Sequence, residues 1–330
     1  MIVIAEAGVN HNGSLDTALR LADKAREAGA DFVKFQTFHA ERLVTATSAP
    51  ADYQKRNCQA TSQMEMLRRL QLSEKEFEII AAHCTSIGIR FLSTPFDMES
   101  IEFLTGIGVD VMKIPSGEIT NLPYLRAVGA TNLPVILSTG MATLSEVDSA
   151  VRILREAGTP QESITLLHCN TEYPTPFTDV NLNVMTALRN AFSLPVGYSD
   201  HTIGIEVPIA AAALGAVVIE KHFTLDKEAA GPDHAASLSP KELAEMTHAL
   251  RNVETALGKS FKTPTRSEIP NIPVARRSIV AACQIRKGEP FTDRNITCKR
   301  PGNGLSPMLW DVVIGAIAPC DFAPDQQIYL

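Results

Sequence analysis

Two histidines close two apolar runs of the kind that end in polar residues. His201 ends PVGYSDH and His222 ends VVIEKH, with a helix-like stretch between them. Adjacent strands lie about 4.8 Å apart, so imidazoles at neighbouring strand ends can share one metal ion without distorting the backbone. Two protein ligands leave positions for water and substrate oxygens, which suits a six-coordinate ion. Imidazole favours Mn²⁺ over Mg²⁺, with Co²⁺ a further alternative. Each histidine could also satisfy a core hydrogen bond. Lys34 in FVKFQ and Lys113 in VMKIPS interrupt apolar strands, which is costly unless an anion pairs with them; both are expected inside a polar mouth. Thr94, Ser116 and Ser138 end neighbouring runs. Two ammonium groups and three hydroxyls make a cradle for a phosphate and an adjacent carboxylate, although such hydroxyls also cap helices. Glu6, ending IVIAE, is read as an acid/base group or metal-water ligand, or as a salt-bridge partner of a lysine. Glu118 in PSGE and Asp233 in GPDH offer acceptors to a polyol, and Tyr173 a wall. Side chains alternate along a strand, so Glu220 and His222 share a face that Lys221 does not, and Lys34 shares one with Gln36.

The elements that must position these groups are eight short apolar runs, at 2–6, 32–36, 90–94, 111–116, 134–138, 165–170, 195–201 and 217–222. Stretches with helical spacing separate them, notably 14–28, 73–87, 144–157, 205–214 and 239–257, each followed at or near its end by glycine. Strands alternating with helices predict an α/β fold, a (β/α)8 TIM barrel over residues 1–258, with its chemistry at the carboxyl ends of the strands. Lys34, Lys113 and His222 lie on even-numbered strands and are expected to converge. The polar stretch 38–72 is too long for a simple connection and reads as a lid or an oligomer contact. Residues 259–275, proline-rich and without apolar periodicity, read as a linker, and 276–330 as a small C-terminal domain that should dock on something.

A formal net charge of −7 over 330 residues argues against an unspecific nucleic-acid binder. No secretory signal or apolar run of bilayer-spanning length is legible, so no membrane partner is expected. Six scattered cysteines without CxxC pairing read as reduced thiols, which fits the cytoplasm and disfavours a structural zinc site. Two further classes remain. One is a Schiff-base aldolase using Lys34, Lys113 or Lys221. The other is a binding protein, which a mouth crowded with ionisable groups disfavours.

The motifs IAEAGVNHNG, VKFQTF, STPFD, KIPSGE, LSTGM, HCNTEYPTP, GYSDHT, EKHFTLDK, GPDH and KRPGNG run the length of the chain in an order that resembles the bacterial sialic acid synthase family, makers of nine-carbon nonulosonic acids. The resemblance implies a metal-dependent condensation of phosphoenolpyruvate with an N-acylated mannosamine-type sugar, with C–O cleavage and release of phosphate. It also implies that 276–330 is an antifreeze-like (SAF) domain, in a domain-swapped homodimer. By position, His201 and His222 match the manganese ligands. Lys34, Thr94, Lys113, Ser116 and Ser138 match the phosphoenolpyruvate site, and Glu6 the carboxylate near the condensing carbons. Gln36, Glu118, Tyr173, Asp233 and the Arg300 contributed by a second copy match sugar contacts, and Glu220 lines the same pocket. Some relatives carry asparagine two residues before the tyrosine, where this chain has Thr171 beside Asn170. The expected acceptor is N-acetylmannosamine, giving N-acetylneuraminate. The alternative is 2,4-diacetamido-2,4,6-trideoxymannose, giving N,N'-diacetyllegionaminate, since GYSDHT and AEAGVNHNG are at least as close to legionaminic acid synthases.

Overall fold

A computed structural model describes residues 1–49 and 62–330. The chain divides into two compact units, Met1–Gly258 and Lys259–Leu330. In the first, eight parallel strands follow one another: β1 (Ile2–Gly8), β2 (Phe32–Thr37), β3 (Arg90–Pro95), β4 (Met112–Ile114), β5 (Val135–Ser138), β6 (Ile164–Cys169), β7 (Val196–Asp200) and β8 (Val218–His222). The sheet order β3-β2-β1-β8-β7-β6-β5-β4 brings the first strand against the last. β3 and β4 pack side by side and bring the cylinder round, without a ladder between them. All eight expected runs are strands. The fourth is shorter than expected because Pro115, which has no N–H, follows Ile114 and leaves Ser116 in a 3-10 turn, Ser116–Glu118.

Burial on both faces explains why the strands read as near-continuous apolar runs. Outward-pointing Val3, Ala5, Val33, Phe35, Met112, Ile114, Val135, Leu137, Val196, Tyr198 and Ile219 join the core shared with the helices. The inward row begins with Ile4, Phe32, Leu92, Val111, Ile136, Leu167 and Val218, a separate apolar layer. Two residues further along each strand, the inward side chains become Glu6, Lys34, Thr94, Lys113, Ser138, Cys169 and Glu220. An apolar plug therefore lies beneath a polar layer, and the change occurs at one height around the barrel. In β7 the inward position below Ser199 is Gly197, where a Cβ would come within 2.4 Å of the Val218 carbonyl oxygen, so the plug closes only without a side chain there.

The helices are α1 (Leu15–Glu27), α2 (Ala40–Leu43), α3 (Gln63–Leu70), α4 (Glu74–Ile87), α5 (Met98–Gly106), α6 (Leu122–Ala130), α7 (Leu144–Ala157), α8 (Val184–Phe192), α9 (Glu206–Ala213) and α10 (Pro240–Leu257). Capping boxes at Ser73/Glu76, Thr143/Glu146 and Ser239/Glu242 satisfy the first free N–H groups of α4, α7 and α10. α2 and α3 fall within the long 38–72 stretch, whose residues 50–61 lie outside the described residues. Met66, Leu67 and Leu70 of α3 cluster with Val9, Phe38 and Ala40 beyond the ends of β1 and β2.

The second unit pairs β9 (Ser278–Ala281) antiparallel with β10 (Ile296–Lys299) around a core of Ile279, Ile285, Phe291, Val313 and Phe322. Residues 259–275 are exposed apart from the half-buried Ile272, and end in a 3-10 turn (Ile269–Asn271) and α11 (Ile272–Ala275); α12 (Trp310–Val313) follows later. Among the described residues no helix is long and apolar enough to cross a membrane. Cys84, Cys169, Cys283, Cys298 and Cys320 are free thiols; Cys58 lies outside the described residues.

Candidate active site

The polar layer opens into a cavity of about 400 Å³ at the carboxyl end of the barrel. Glu6, Lys34, Gln36, Thr94, Lys113, Ser116, Glu118, Ser138, Tyr173, His201, Glu220, His222 and Asp233 all line it. Arg300 belongs to the second unit, where its Nε donates to the Ala275 carbonyl at 2.9 Å. Lys221 is not in the cavity: it points outward and is ion-paired with Asp200, which removes it from the Schiff-base alternatives.

Four charges alternate on the cavity floor. Lys34 Nζ lies 2.8 Å from Glu6 Oε2 and 3.7 Å from Glu220 Oε2, and Lys113 Nζ lies 3.8 Å from Glu220 Oε1. Lys34 and Lys113 thus converge through the carboxylate of the last strand. Burial works against the charge of Lys34, but Glu220 and Glu6 outweigh it and its pKa is raised. For Lys113 burial prevails over the pull of Glu220, with Lys34 repelling, and the pKa is lowered. Burial would lift Glu220, yet the two lysines and a 2.9 Å hydrogen bond from Ser199 hold it below its usual range. Glu6 is lifted, chiefly by burial and also by Glu220, against the pull of Lys34; Gln36 Nε2 donates to its Oε1 at 3.1 Å. The surroundings thus push the two carboxyls in opposite directions, Glu6 up and Glu220 down.

The three hydroxyls are oriented by donors behind them. Lys34 donates to Thr94 Oγ1 at 3.2 Å and Lys113 to Ser138 Oγ at 2.7 Å. The Gly140 N–H donates to Ser116 Oγ at 2.9 Å, beside the Cys169 thiol at 3.2 Å. The Thr94 and Ser138 oxygens each already accept an N–H bond, so their own protons remain to donate to an anion in the cavity, whereas between Ser116 Oγ and Cys169 Sγ either atom can be the donor. A Cβ on Gly140 would come within 2.8 Å of Ser116 Oγ, so the backbone donor reaches it only because the residue is glycine.

The imidazoles of His201 and His222 have centroids 5.5 Å apart, with the Tyr173 ring 4.1 Å from the first and edge-on to the second at 5.6 Å. A carbonyl can only accept, so the 2.5 Å contact of His201 Nδ1 with the Asn170 carbonyl places the proton on Nδ1 and leaves Nε2 as a bare lone pair. His222 Nδ1 is buried and has no hydrogen-bond partner; the nearest carboxylate, Asp233, is 3.8 Å away. Burial lowers His201 to about 4 and drives His222 well below its ordinary value, with His201 and the lysines adding to the latter. Two neutral imidazoles, one with an orphaned buried nitrogen, are a donor set that a divalent cation fits. Among the described residues no group of three or more histidine, cysteine or acidic side chains gathers to hold an ion. Asp233 is lifted to about 7 by burial and by Glu6, partly offset by Lys34.

Several participants escaped the sequence reading. Ser199 is one: parity applied to β7 as it was to β8 places Ser199 and His201 on one face. The Asn170 carbonyl and the Gly140 N–H are backbone groups with no sequence signal. The apolar rim of Val9, Phe38, Leu43, Val44, Met66, Leu67, Leu70, Phe96 and Met141 was equally unforeseen.

Residues 21–262 match the NeuB family model and 276–330 the SAF domain model. The chain is 48% identical to the N,N'-diacetyllegionaminic acid synthase of Campylobacter jejuni over 99% of this chain and 98% of that one. It is 46% identical to the Legionella pneumophila protein of the same name, over 95% and 89%. The crystal structure of an N-acetylneuraminic acid synthetase from Leptospira borgpetersenii, in complex with citrate, aligns with a TM-score of 0.73 at 36% identity, covering 82% of this chain and 90% of that one. The chain belongs to the NeuB family, its barrel followed by a SAF domain.

Proposed function

We propose that the chain is a phosphoenolpyruvate-dependent nonulosonic acid synthase whose acceptor is 2,4-diacetamido-2,4,6-trideoxymannose, making N,N'-diacetyllegionaminate. The observation that carries the synthase reading is the floor of the cavity, where two lysines and three pre-oriented hydroxyls flank a pair of neutral imidazoles. The acceptor is argued from the rim. N-acetylmannosamine presents hydroxyls where the diacetamido sugar presents a methyl group and an acetamido methyl, and the rim is built of apolar side chains. Relatives with nearly half of their residues identical carry the legionaminic acid name. Both points favour the alternative acceptor over N-acetylmannosamine.

Lys34, Lys113, Thr94, Ser116 and Ser138 hold the donor's phosphate and carboxylate and set its carbon three beside the open-chain aldehyde of the sugar. A divalent cation held by His201 and His222, Mn²⁺ foremost, would supply Lewis-acid polarisation of that aldehyde. Carbon three attacks the aldehyde carbon, leaving an oxocarbenium-like carbon two. Glu6 takes a proton from the water that adds there while the aldehyde oxygen gains one to become a hydroxyl; the tetrahedral centre then expels phosphate by C–O cleavage, its own hydroxyl proton leaving with the phosphate as the keto group forms. Glu220 stays ionised and keeps both lysines in place.

A phosphate-release assay with the two sugars tests the proposal. A kcat/KM at least tenfold higher for the diacetamido sugar is expected, since each methyl placed in an apolar pocket is worth about 1–3 kcal/mol. Faster turnover of N-acetylmannosamine would reverse the acceptor assignment, and no release with either sugar would remove the synthase reading.

A further inference from the structure

Behind the two imidazoles, on the opposite face of the sheet, lies a buried ion pair that the chemistry above does not use. Lys221 Nζ is bonded to Asp200 Oδ2, and both side chains are fully buried. Asp200 and Lys221 are register partners in the last rung of the β7–β8 ladder, following Tyr198↔Ile219 and Ser199↔Glu220. His201 and His222 are each the next residue in the chain. The rung is therefore the final backbone connection between the two strands before the imidazoles. Lys221 Nζ also donates to the Thr202 carbonyl at 2.6 Å, while the Thr202 N–H and hydroxyl donate to the Asp200 carboxylate at 3.2 and 3.0 Å. His201 is thus bracketed: the residues before and after it are both bound to the side chain that precedes His222.

A buried ion pair is a poor source of stability, because apolar residues of similar volume usually do as well or better once desolvation is counted. What a hydrogen-bonded pair supplies and an apolar pair does not is fixed direction and length. We propose that the Asp200–Lys221–Thr202 cluster is a positioning clamp that sets the spacing and orientation of the His201 and His222 imidazoles for one divalent cation. This rests on the metal reading given above. None of the three residues lines the cavity or touches the reacting atoms.

The test measures Mn²⁺ affinity directly, by the electron paramagnetic resonance of the free ion, beside thermal melting of metal-free protein and phosphoenolpyruvate binding. In the charge-free double variant Asp200→Asn/Lys221→Met the Mn²⁺ Kd should rise at least tenfold, in line with the 10–100-fold losses typical when the support of a metal ligand is removed. Its affinity for phosphoenolpyruvate should stay within about twofold of the parent, measured without metal. Thr202→Val keeps the ion pair and the packing volume but removes the hydroxyl, and should raise the Mn²⁺ Kd by about two- to fivefold. It decides the matter alone if the double variant does not fold. A folded double variant, or in its absence Thr202→Val, that binds Mn²⁺ as the parent does would overturn the clamp. A parent protein that binds no Mn²⁺ would instead overturn the metal reading, which separates the two failures.

Discussion

Glu6 and Glu220 are buried carboxylates on adjacent strands, and the lysines between them give them different parts. Glu220 touches both ammonium groups and is held ionised; Glu6 has one lysine and an amide, and burial lifts it. Replacing Glu6 with Gln keeps the shape and one hydrogen-bonding oxygen but removes the base proposed above. The expected outcome is a fall in kcat of about 10²–10⁴ with phosphoenolpyruvate affinity within about threefold of the parent, read from phosphate release and calorimetry. Near-normal turnover would take Glu6 out of the chemistry. At this scale the sequence was informative where burial is expensive. A lysine in the middle of an apolar strand must have an anion beside it, and both Lys34 and Lys113 do. It was silent where the partner is a backbone group, as with the Gly140 N–H and the Asn170 carbonyl, and where a pair faces the helices from two strands, as with Asp200 and Lys221. Charge alone cannot show which residues a ladder will pair.

At the scale of elements, the turn between β1 and α1 carries VNHNG and ties the end of the first strand to the segment after the last. Asn10 Nδ2 donates to the Phe223 carbonyl at 2.8 Å and to Ser237 Oγ at 3.0 Å. His11 is 1% exposed, accepts from the Gly13 N–H at 3.0 Å, and is lowered to about 4 by burial, with Glu76 opposing. Between about pH 6.5 and about pH 4 the unfolded chain binds a proton at this histidine that the folded chain does not. Its contribution to stability is therefore full above about pH 6.5 and is lost as the pH falls, at about 1.4 kcal/mol per pH unit. His11→Gln should shrink the stability difference between about pH 7 and pH 5 by about 2 kcal/mol in urea titrations; an unchanged difference would show that the imidazole titrates alike in the folded and unfolded chain. The crossover helices were legible where a capping serine or threonine, a glutamate three residues on and a terminal glycine coincide, as in α4, α7 and α10. α5, α6 and α8 were passed over. They have nine residues each, and Asp97 and Asn121 cap the first two without a capping box, while α8 starts at Asn183 with no side-chain cap.

For the whole molecule, the barrel architecture was readable because eight apolar runs alternate with helical spacing, and the second unit because a proline-rich stretch separates two independent apolar cores. The rim was not readable, since apolar residues gathered from α2, α3 and the segments just past β1 and β2 look like ordinary core until the fold brings them over the cavity. The hydroxyl and ammonium cradle on the floor has a kinetic consequence. In the proposed reaction its groups would grip oxygens on phosphorus and be indifferent to the carbon they were attached to, so a liberated phosphate ion would retain most of the contacts that seated the donor. Turnover should slow as the by-product accumulates, inorganic phosphate should compete with phosphoenolpyruvate and not with the sugar, and Ser138→Ala should relax that competition in initial-rate measurements. An enzyme built this way is restrained by its own spent leaving group until the cell carries it off.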